Sequence, residues 1–202
     1  MSQLHSTFGH RAPFAGLPVP AAQGTGVVVS DRDGTGLATV LVRKGQHEAL
    51  AQRVREKFGL ELPRGPRRSA SSEVAFIATA PGAWLATHER IGNAFVQTLA
   101  EATAGLASIS DQSDGYAVVR LWGPHVRAAL CKLLPIDLHP NAFAVGAVAA
   151  TVASYIGTTI WRLDDQAGSS VFEMAVYRSM ADSFWSALSA SAAEFGFKVA
   201  GR

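Results

Sequence analysis

The sequence is poor in the features on which exported, membrane-spanning and disulfide-stabilised proteins depend. Its 202 residues include one cysteine, Cys131, so no disulfide can form within the chain. No stretch reaches the roughly 18 uninterrupted apolar residues of a membrane helix. The first residues, MSQLHSTFGHR, lack the basic start and apolar run of a signal peptide. We therefore expect a cytoplasmic protein with no membrane partner.

Common catalytic and cofactor-binding motifs are also missing. There is no G-x-x-x-x-G-K-[ST] phosphate loop and no G-x-S-x-G nucleophile elbow. Gly24 and Gly26 do not form a dinucleotide loop, because no strand precedes them and no helix follows. The six histidines have no cysteine or second histidine at zinc-site spacing. The sequence predicts neither a metal nor a cofactor site in this chain.

The net charge of +2 is unevenly distributed. Residues 43–68 contain eight Lys or Arg and three acids, so this segment carries +5 and the remainder −3. An RNA-associated module could use such a face, but no aromatic residue for base stacking lies near the arginines at 64, 67 and 68. A solvated or protein-docking loop is favoured, and no nucleic-acid partner is predicted.

The composition, 48% hydrophobic and 17% charged, is typical of a globular protein. Residues 1–24 contain three prolines and no sustained periodicity, which predicts an N-terminal arm. Residues 25–202 predict a single α+β domain that allows two lobes joined near residues 61–72. The proline- and arginine-rich LPRGPRRSASS stretch there predicts an exposed, flexible connection.

Strand and helix patterns alternate along the first two thirds of the chain. Residues 25–45 predict a hairpin around the DRDGTG turn, and residues 74–87 and 106–122 predict two more, the last around DQSDG. Helices are predicted after the first two, one ending at Gly59 and one near Gly105. The repeated order predicts antiparallel sheets covered by helices, and hence the α+β class.

The last third predicts two further helices and a strand pair. Gly123-Pro124 opens a helix with Val126, Leu130 and Leu134 on its buried stripe, where Cys131 is expected to pack. Residues 147–162 predict extended structure broken near Gly157, paired with SVFEMAVYR across the DDQAG turn. Ser179 and Asp182 predict the cap of a final helix whose apolar face includes Met180, Phe184 and Leu188.

Several long motifs together resemble one protein family. They are DQSDG at 111–115, GPHVRAAL at 123–130, LLPIDLHPNAF at 133–143 and the tail from WRLDD to FWSAL, with shorter matches at FAGL, GPRRS and PGAWL. In these the chain resembles the gamma subunits of heterotetrameric sarcosine oxidase over nearly its whole length from Phe14. That family is more distantly similar to the folate-binding region of the glycine cleavage aminomethyltransferase, which implies paired strand-helix lobes.

The resemblance implies that the assembled enzyme oxidatively demethylates sarcosine to glycine. Hydrogen peroxide and either formaldehyde or methylene-tetrahydrofolate are the implied products. FAD, FMN, NAD and tetrahydrofolate are implied in the alpha and beta subunits and zinc in the delta subunit. The chain itself is expected to be a non-catalytic subunit that docks chiefly on alpha.

One absence supports a non-catalytic role. In the similar transferases, an aspartate of the strand pair after the Asp-containing loop is expected to assist one-carbon transfer, because positive charge develops on the folate nitrogen. The matching stretch here, TVASYIGTTIWRL, contains no acid, and none occurs between Asp137 and Asp164. Neutral Tyr155 or Thr158 cannot supply that charge.

Two alternatives remain open at this stage. A standalone folate-binding, aminomethyltransferase-like protein would need an acid from elsewhere, for instance Asp111 or Asp114. A related complex that acts on another N-methyl amino acid would differ in a partner chain. The residues predicted at the partner interface are Phe14, Leu17, Arg67 and Arg68, taken from the arm and the basic loop.

Overall fold

Alternating apolar residues produce eleven strands in the part of the chain that the computed structural model describes, residues 12–19, 24–89 and 93–200. The strands are β1 (Val27–Asp31), β2 (Gly36–Val42), β3 (Arg68–Ala70), β4 (Val74–Ala80), β5 (Ala83–His88), β6 (Ala107–Asp111), β7 (Tyr116–Trp122), β8 (Val148–Ala153), β9 (Ile156–Gln166), β10 (Ser169–Tyr177) and β11 (Phe197–Val199). The α-helices in the same residues are α1 (His47–Phe58), α2 (Asn93–Ala102), α3 (Val126–Cys131) and α4 (Ala181–Ala192).

The strands form two sheets that face each other. The six-stranded sheet has the order β11-β1-β7-β10-β9-β8, and the five-stranded sheet has the order β3-β4-β5-β2-β6. Neighbouring strands are antiparallel except β1 and β11, which are parallel. Helices α1 and α2 accompany the outer core of the five-stranded sheet, and α3 and α4 that of the six-stranded sheet. The predicted α+β class, with helix-covered antiparallel sheets, is confirmed.

Two of the predicted hairpins are wrong, although their strands exist. β1 pairs with β7 and β11, whereas β2 pairs with β5 and β6, so the turn at residues 32–35 carries the chain from one sheet to the other. The turn at residues 112–115 does the same between β6 and β7. Turn-forming residues reverse the chain in either case, and local alternation does not reveal the partner strand.

Other predicted connections are confirmed. β4 pairs with β5 across Pro81 and Gly82, and β9 pairs with β10 across the DDQAG turn. The break in the extended 147–162 region lies at Ser154 and Tyr155, slightly before Gly157. Both residues have positive φ, at 46° and 70°, and the Tyr155 side chain at this hairpin tip is 99% exposed. Such backbone angles suit a two-residue hairpin turn.

Three apolar cores fill the spaces between these layers of sheets and helices. An inner core between the sheets contains Ile77 and Leu85 from one sheet and Val118 and Trp161 from the other. The two outer cores lie between each sheet and its helices. α1 ends at Gly59 as predicted, because glycine accepts the left-handed conformation observed there, with φ of 65°.

The prediction that Cys131 is buried is wrong. Val126, Leu130 and Leu134 are buried as expected, but the thiol-bearing residue is exposed. α3 ends at Cys131, and adjacent helical residues are rotated by about 100°, so a residue next to Leu130 faces away from its stripe. The structure therefore places this thiol on the surface.

The predicted cap of the last helix is also wrong. α4 begins at Ala181 after a short 3-10 turn, Arg178–Met180, and no side chain of the described residues caps it. Met180 is exposed because it belongs to this turn and not to the helical stripe. Phe184 and Leu188 are buried, as predicted.

The described part of the N-terminal segment, residues 12–19, belongs to the outer core. Phe14 is 1% exposed, with its ring centroid 5.4 Å from that of Trp185 and 6.4 Å from that of Phe184. The Trp185 indole donates a hydrogen bond to the Pro18 carbonyl at 2.8 Å. The predicted arm therefore packs on α4 over these residues, while residues 1–11 and 20–23 lie outside the described residues.

The segment at residues 61–72 differs from the expected flexible connection. It includes β3, the edge strand of the five-stranded sheet. The Arg68 N–H donates to the Gly146 carbonyl at 2.8 Å, and the Val148 N–H donates to the Pro66 carbonyl at 2.9 Å. The segment is thus hydrogen-bonded to the approach and start of β8, and the connections between the sheets lie at 32–35 and 112–115.

Candidate functional site: a charged cluster between the sheets

Charged side chains lie beside the inner core, where both sheets contribute. The inter-sheet cluster, as we call it, contains Arg32, Arg68, Glu89, Arg120, Trp161 and Glu173. Side chains alternate between the faces of a strand, so Arg120 shares the inward face of β7 with Val118, and Glu173 shares that of β10 with Ala175. The cluster is therefore part of the contact between the sheets.

Glu173 is the most enclosed charge of the cluster, with its side chain 10% exposed. It lies directly opposite Arg120 on β7 and opposite Trp161 on β9. Its Oε1 accepts from Arg120 Nε at 2.9 Å and lies 3.3 Å from Arg32 Nε. Its Oε2 accepts from the Trp161 indole at 2.8 Å. Both carboxylate oxygens are therefore occupied by donors from the chain itself.

Glu89 occupies the outer side of the cluster. Its side chain is 49% exposed and forms an ion pair with Arg32, and its Oε1 lies 3.8 Å from Arg120 Nη2. The two acids thus share two arginines. Because Glu89 follows β5 of the five-stranded sheet and the two arginines lie on the other sheet, the pairs of Glu89 connect the two sheets.

Arg68 enters the same space from β3 without an ion pair to any described residue. Its Nε is shielded from solvent and has no hydrogen-bond partner there. Burial lowers the pKa of this guanidinium from its usual value, and the negative charge of Glu173 opposes that effect. Arg68 is therefore the least compensated charge of the cluster.

Little free space remains within the cluster. The cavity lined by Arg32, Arg68, Trp161 and Glu173 has a volume of about 10 Å³. A space of that size holds about one water molecule. A general base needs an accessible oxygen and a neighbouring reactant. The geometry provides neither, so the cluster can hold the sheets together but cannot accommodate an organic substrate.

Sequence reasoning did not identify Glu173 as a member of this site. The stretch TVASYIGTTIWRL is free of acids, yet the neighbouring strand brings a carboxylate against its Trp161. The single glutamate within the apolar SVFEMAVYR run was the available signal, because a charge in a buried strand requires partners. Asp111 and Asp114 are exposed, and Asp111 accepts a hydrogen bond from the Ser113 hydroxyl at 2.7 Å.

The four residues predicted at a partner interface do not lie together. Phe14 belongs to this chain's own core, and Leu17 is partly buried against the same core. Arg68 lies in the inter-sheet cluster. Arg67 is exposed, and its Nη1 is 3.3 Å from the Val145 carbonyl. Arg67 is thus the most accessible of the four residues.

A metal-binding cluster and a membrane-spanning helix are two further features that the described residues could contain. These residues contain no group of three or more His, Cys, Asp or Glu side chains placed to hold a metal ion. Within the same ranges, none of the helices combines the length and apolarity needed to cross a bilayer.

Solved structures share this arrangement of sheets and helices. A heterotetrameric sarcosine oxidase from Corynebacterium sp. U-96, in complex with pyrrole 2-carboxylate, contains a chain that matches with a TM-score of 0.77 and 23% identity, over 92% of this chain and 96% of that one. The glycine cleavage aminomethyltransferase T of Bartonella henselae matches with a TM-score of 0.61 and 16% identity, over 85% of this chain and 47% of that one. At these identities the likeness concerns the fold.

Sequence comparison is more specific. Sarcosine oxidase subunit gamma of Arthrobacter sp. is 31% identical over 172 residues, which cover 81% of this chain and 82% of that protein. The subunit of the same name from Corynebacterium sp. (strain P-1) is 30% identical over 174 residues, with the same coverage. The profile of the family described as sarcosine oxidase, gamma subunit, matches residues 44–194. The chain therefore belongs to the sarcosine oxidase gamma subunit family.

Proposed function

We propose that this chain is a structural, non-catalytic subunit of a heterotetrameric complex that oxidises sarcosine. Family membership supports the assembly, since one similar structure is that of a heterotetrameric sarcosine oxidase. The observation that carries the non-catalytic role is the filled space between the sheets, where Glu173 is held by Arg120, Arg32 and Trp161.

The size of that space argues against folate chemistry at the inter-sheet cluster. Small-molecule sites usually have volumes of roughly 300 Å³ or more. The cluster encloses about 10 Å³. A pterin could enter only if the two sheets separated, which would break the ion pairs that Glu89 forms with Arg32 and Arg120. A structural role needs no such opening.

In this proposal the chemistry belongs to other subunits. The alpha and beta subunits would hold FAD, FMN, NAD and tetrahydrofolate, the delta subunit would hold zinc, and the complex would convert sarcosine to glycine in the cytoplasm. This chain would dock chiefly on alpha. Its contribution is a preformed surface, because two sheets joined by an apolar inner core and by the ion pairs of Glu89 resist deformation.

The test compares the purified chain with its complex. We expect the isolated chain to be colourless, to form no peroxide with sarcosine and to bind no tetrahydrofolate. Co-expressed with the large subunits, it is expected to co-elute in a yellow complex. Omission of the chain should reduce the yield of assembled enzyme, and adding it back should restore it.

Three results would contradict the proposal. Peroxide formation by the isolated chain would make it catalytic, and saturable tetrahydrofolate binding would favour a standalone folate protein. Failure to co-elute would remove the assembly role. A panel of N-methyl amino acids, assayed with the full complex, shows whether sarcosine is the preferred substrate.

A further inference from the structure

The basic segment at residues 43–68 is not neutralised by its own acids. Each acid has a nearby cation: Glu48 lies 2.9 Å from Arg64, Glu56 lies 3.9 Å from Arg53, and Glu61 lies 2.6 Å from Arg55. The segment's exposed cations without an ion pair to any described residue are Arg43, Lys44, Lys57 and Arg67. Isolated positive charges that remain at a surface are available to an external partner.

A pocket of about 380 Å³ adjoins the end of this segment. Residues 64–66, residues 78–80 at the end of β4, and Pro81 form its walls, which are largely methyl groups and proline rings. Arg64 also lines the pocket, but its exposed pair with Glu48 is weak in water. The pocket therefore combines an apolar floor with a positive rim.

Backbone hydrogen bonds bring the main chain near Arg67 and Arg43 to two sides of this pocket. The Ala78 N–H donates to the Arg67 carbonyl at 3.0 Å, so Arg67 adjoins the wall that Ala78 forms. On the other side, the Val42 N–H donates to the Gly82 carbonyl at 3.0 Å. Arg43 follows Val42 directly, so its backbone is one residue from this contact with the Pro81-Gly82 turn. We call the pocket together with Arg43 and Arg67 the basic pocket surface.

We infer that the basic pocket surface docks an acidic segment of a partner subunit, which inserts an apolar side chain into the pocket and places carboxylates beside Arg43 and Arg67. This inference rests on the proposed function and names the chemistry of one contact. Arginine is well suited to the role because its guanidinium binds carboxylates in a bidentate manner. An apolar centre with a charged rim is the usual organisation of a protein interface.

The walls favour a protein over a nucleic acid. Single-stranded RNA is usually held by aromatic side chains on which bases stack. Residues 64–66, residues 78–80 and Pro81 include none. The nearby Trp84 is buried, and its indole donates to the Pro63 carbonyl at 2.8 Å. Neither face of its ring is offered to a base.

The test is a competition between wild-type and variant chains, co-expressed with tagged large subunits. Arg43→Glu and Arg67→Glu are each expected to reduce incorporation at least about tenfold relative to wild type, an effect equivalent to about 1.4 kcal/mol. Lys57→Glu is the matched control, because it changes the net charge by the same amount. Lys57 lies near the end of α1, about 15 Å along the helix from its first residue, His47. It should incorporate like wild type.

A second pair of variants tests the pocket without changing charge. Ala80→Trp would fill the pocket and is expected to reduce incorporation, whereas Ala80→Ser leaves it open and should not. Thermal unfolding of each purified variant verifies that the fold is intact. Raising the salt concentration should weaken incorporation of the wild-type chain and have less effect on Arg67→Glu.

The outcomes are distinguishable. If wild type assembles but Arg43→Glu and Arg67→Glu incorporate as Lys57→Glu does, the inference is overturned while the proposed function stands. If these variants assemble normally but lose salt-dependent RNA binding, the surface serves nucleic acid and the inference is again overturned. If wild type itself does not assemble, the proposed function and this inference fail together.

Discussion

The Trp161 indole and the Glu173 carboxylate are joined by a 2.8 Å hydrogen bond in the layer where the two sheets meet. The carboxylate also accepts a hydrogen bond from Arg120 Nε at 2.9 Å. An aromatic donor from β9 and a cation from β7 thus hold a charge on the strand between them. This contact lies on the inner face of the six-stranded sheet, and its loss should be seen first in stability.

Replacing Glu173 with Gln should therefore destabilise the fold. The amide keeps the shape of the side chain but leaves Arg32 and Arg120 without their buried anion. Removing one partner of a buried pair costs about 3 kcal/mol or more. Urea unfolding measures the difference, with Glu89→Gln as control, because that half-exposed carboxylate should contribute at most about 1 kcal/mol. Equal losses in the two variants would contradict a structural role for Glu173.

Phe14→Ala tests the placement of the N-terminal segment. Removing a buried phenylalanine ring typically costs about 3–5 kcal/mol. Val19→Ala, at a residue that is 40% exposed, is the control and should change stability by less than about 0.5 kcal/mol. The near-ultraviolet circular dichroism of Trp185 should change only in the first variant. If Phe14→Ala were as stable as wild type, Phe14 would not be part of the core and would again be a candidate for contact with a partner.

Gly26 is expected to tolerate no side chain. A Cβ there would lie 2.0 Å from the Phe195 carbonyl oxygen, a backbone atom, so Gly26→Ala must displace the connection before β11. Overpacking of this kind usually costs about 1–3 kcal/mol. Gly157→Ala is the matched control, because a Cβ at that residue would have no heavy atom within 4 Å and its φ is not positive. Thermal unfolding of the two variants should differ clearly.

Asp31 should make stability depend on pH. Burial, and then the charge of Asp33, raises the pKa of this carboxyl, while backbone hydrogen bonds from Phe14 and Asp33 act in the opposite direction. A raised folded-state pKa means that the contribution to stability is complete below pH 3.8 and is lost as pH rises through the folded value. Ionised Asp31 is thus the less favourable form.

Asp31→Asn removes that ionisation. Its free energy of unfolding relative to wild type should increase as the pH rises above the usual aspartate range, and should then remain constant once wild-type Asp31 is ionised. Denaturation at a series of pH values measures this difference. A relative stability that is independent of pH, or that falls as pH rises, would contradict the assigned shift.

Local sequence patterns predicted elements better than they predicted partners. The stop at Gly59 and the hairpins on either side of Pro81-Gly82 and of the DDQAG turn depend on nearby residues, and the structure confirms them. The turns at 32–35 and 112–115 have similar residues but join different sheets. The strand with which the next strand pairs is decided by burial of the whole inner face. The residues of the turn do not encode this choice.

The inter-sheet cluster could not be predicted from the sequence for the same reason. Arg120 and Glu173 face each other only because β7 and β10 are adjacent, although the two residues are 53 positions apart in the chain. Arg68 reaches them from the opposite sheet. The sequence showed the unusual residues, a lone acid in an apolar strand and an arginine at the edge of a loop. Their proximity depends on the order of the strands in the sheets, which the sequence did not reveal.

The parallel pairing of β1 with β11 has a consequence for biosynthesis. Val27 is aligned with Phe197, and the Ala200 N–H donates to the Val29 carbonyl at 2.8 Å, so the second neighbour of β1 is translated long after β1 itself. Until then one edge of β1 offers unpaired amides, a state that invites mispairing with other nascent chains. Completion of this sheet consequently waits for the synthesis of β11, and chaperone protection of the β1 edge would matter most until that strand is available.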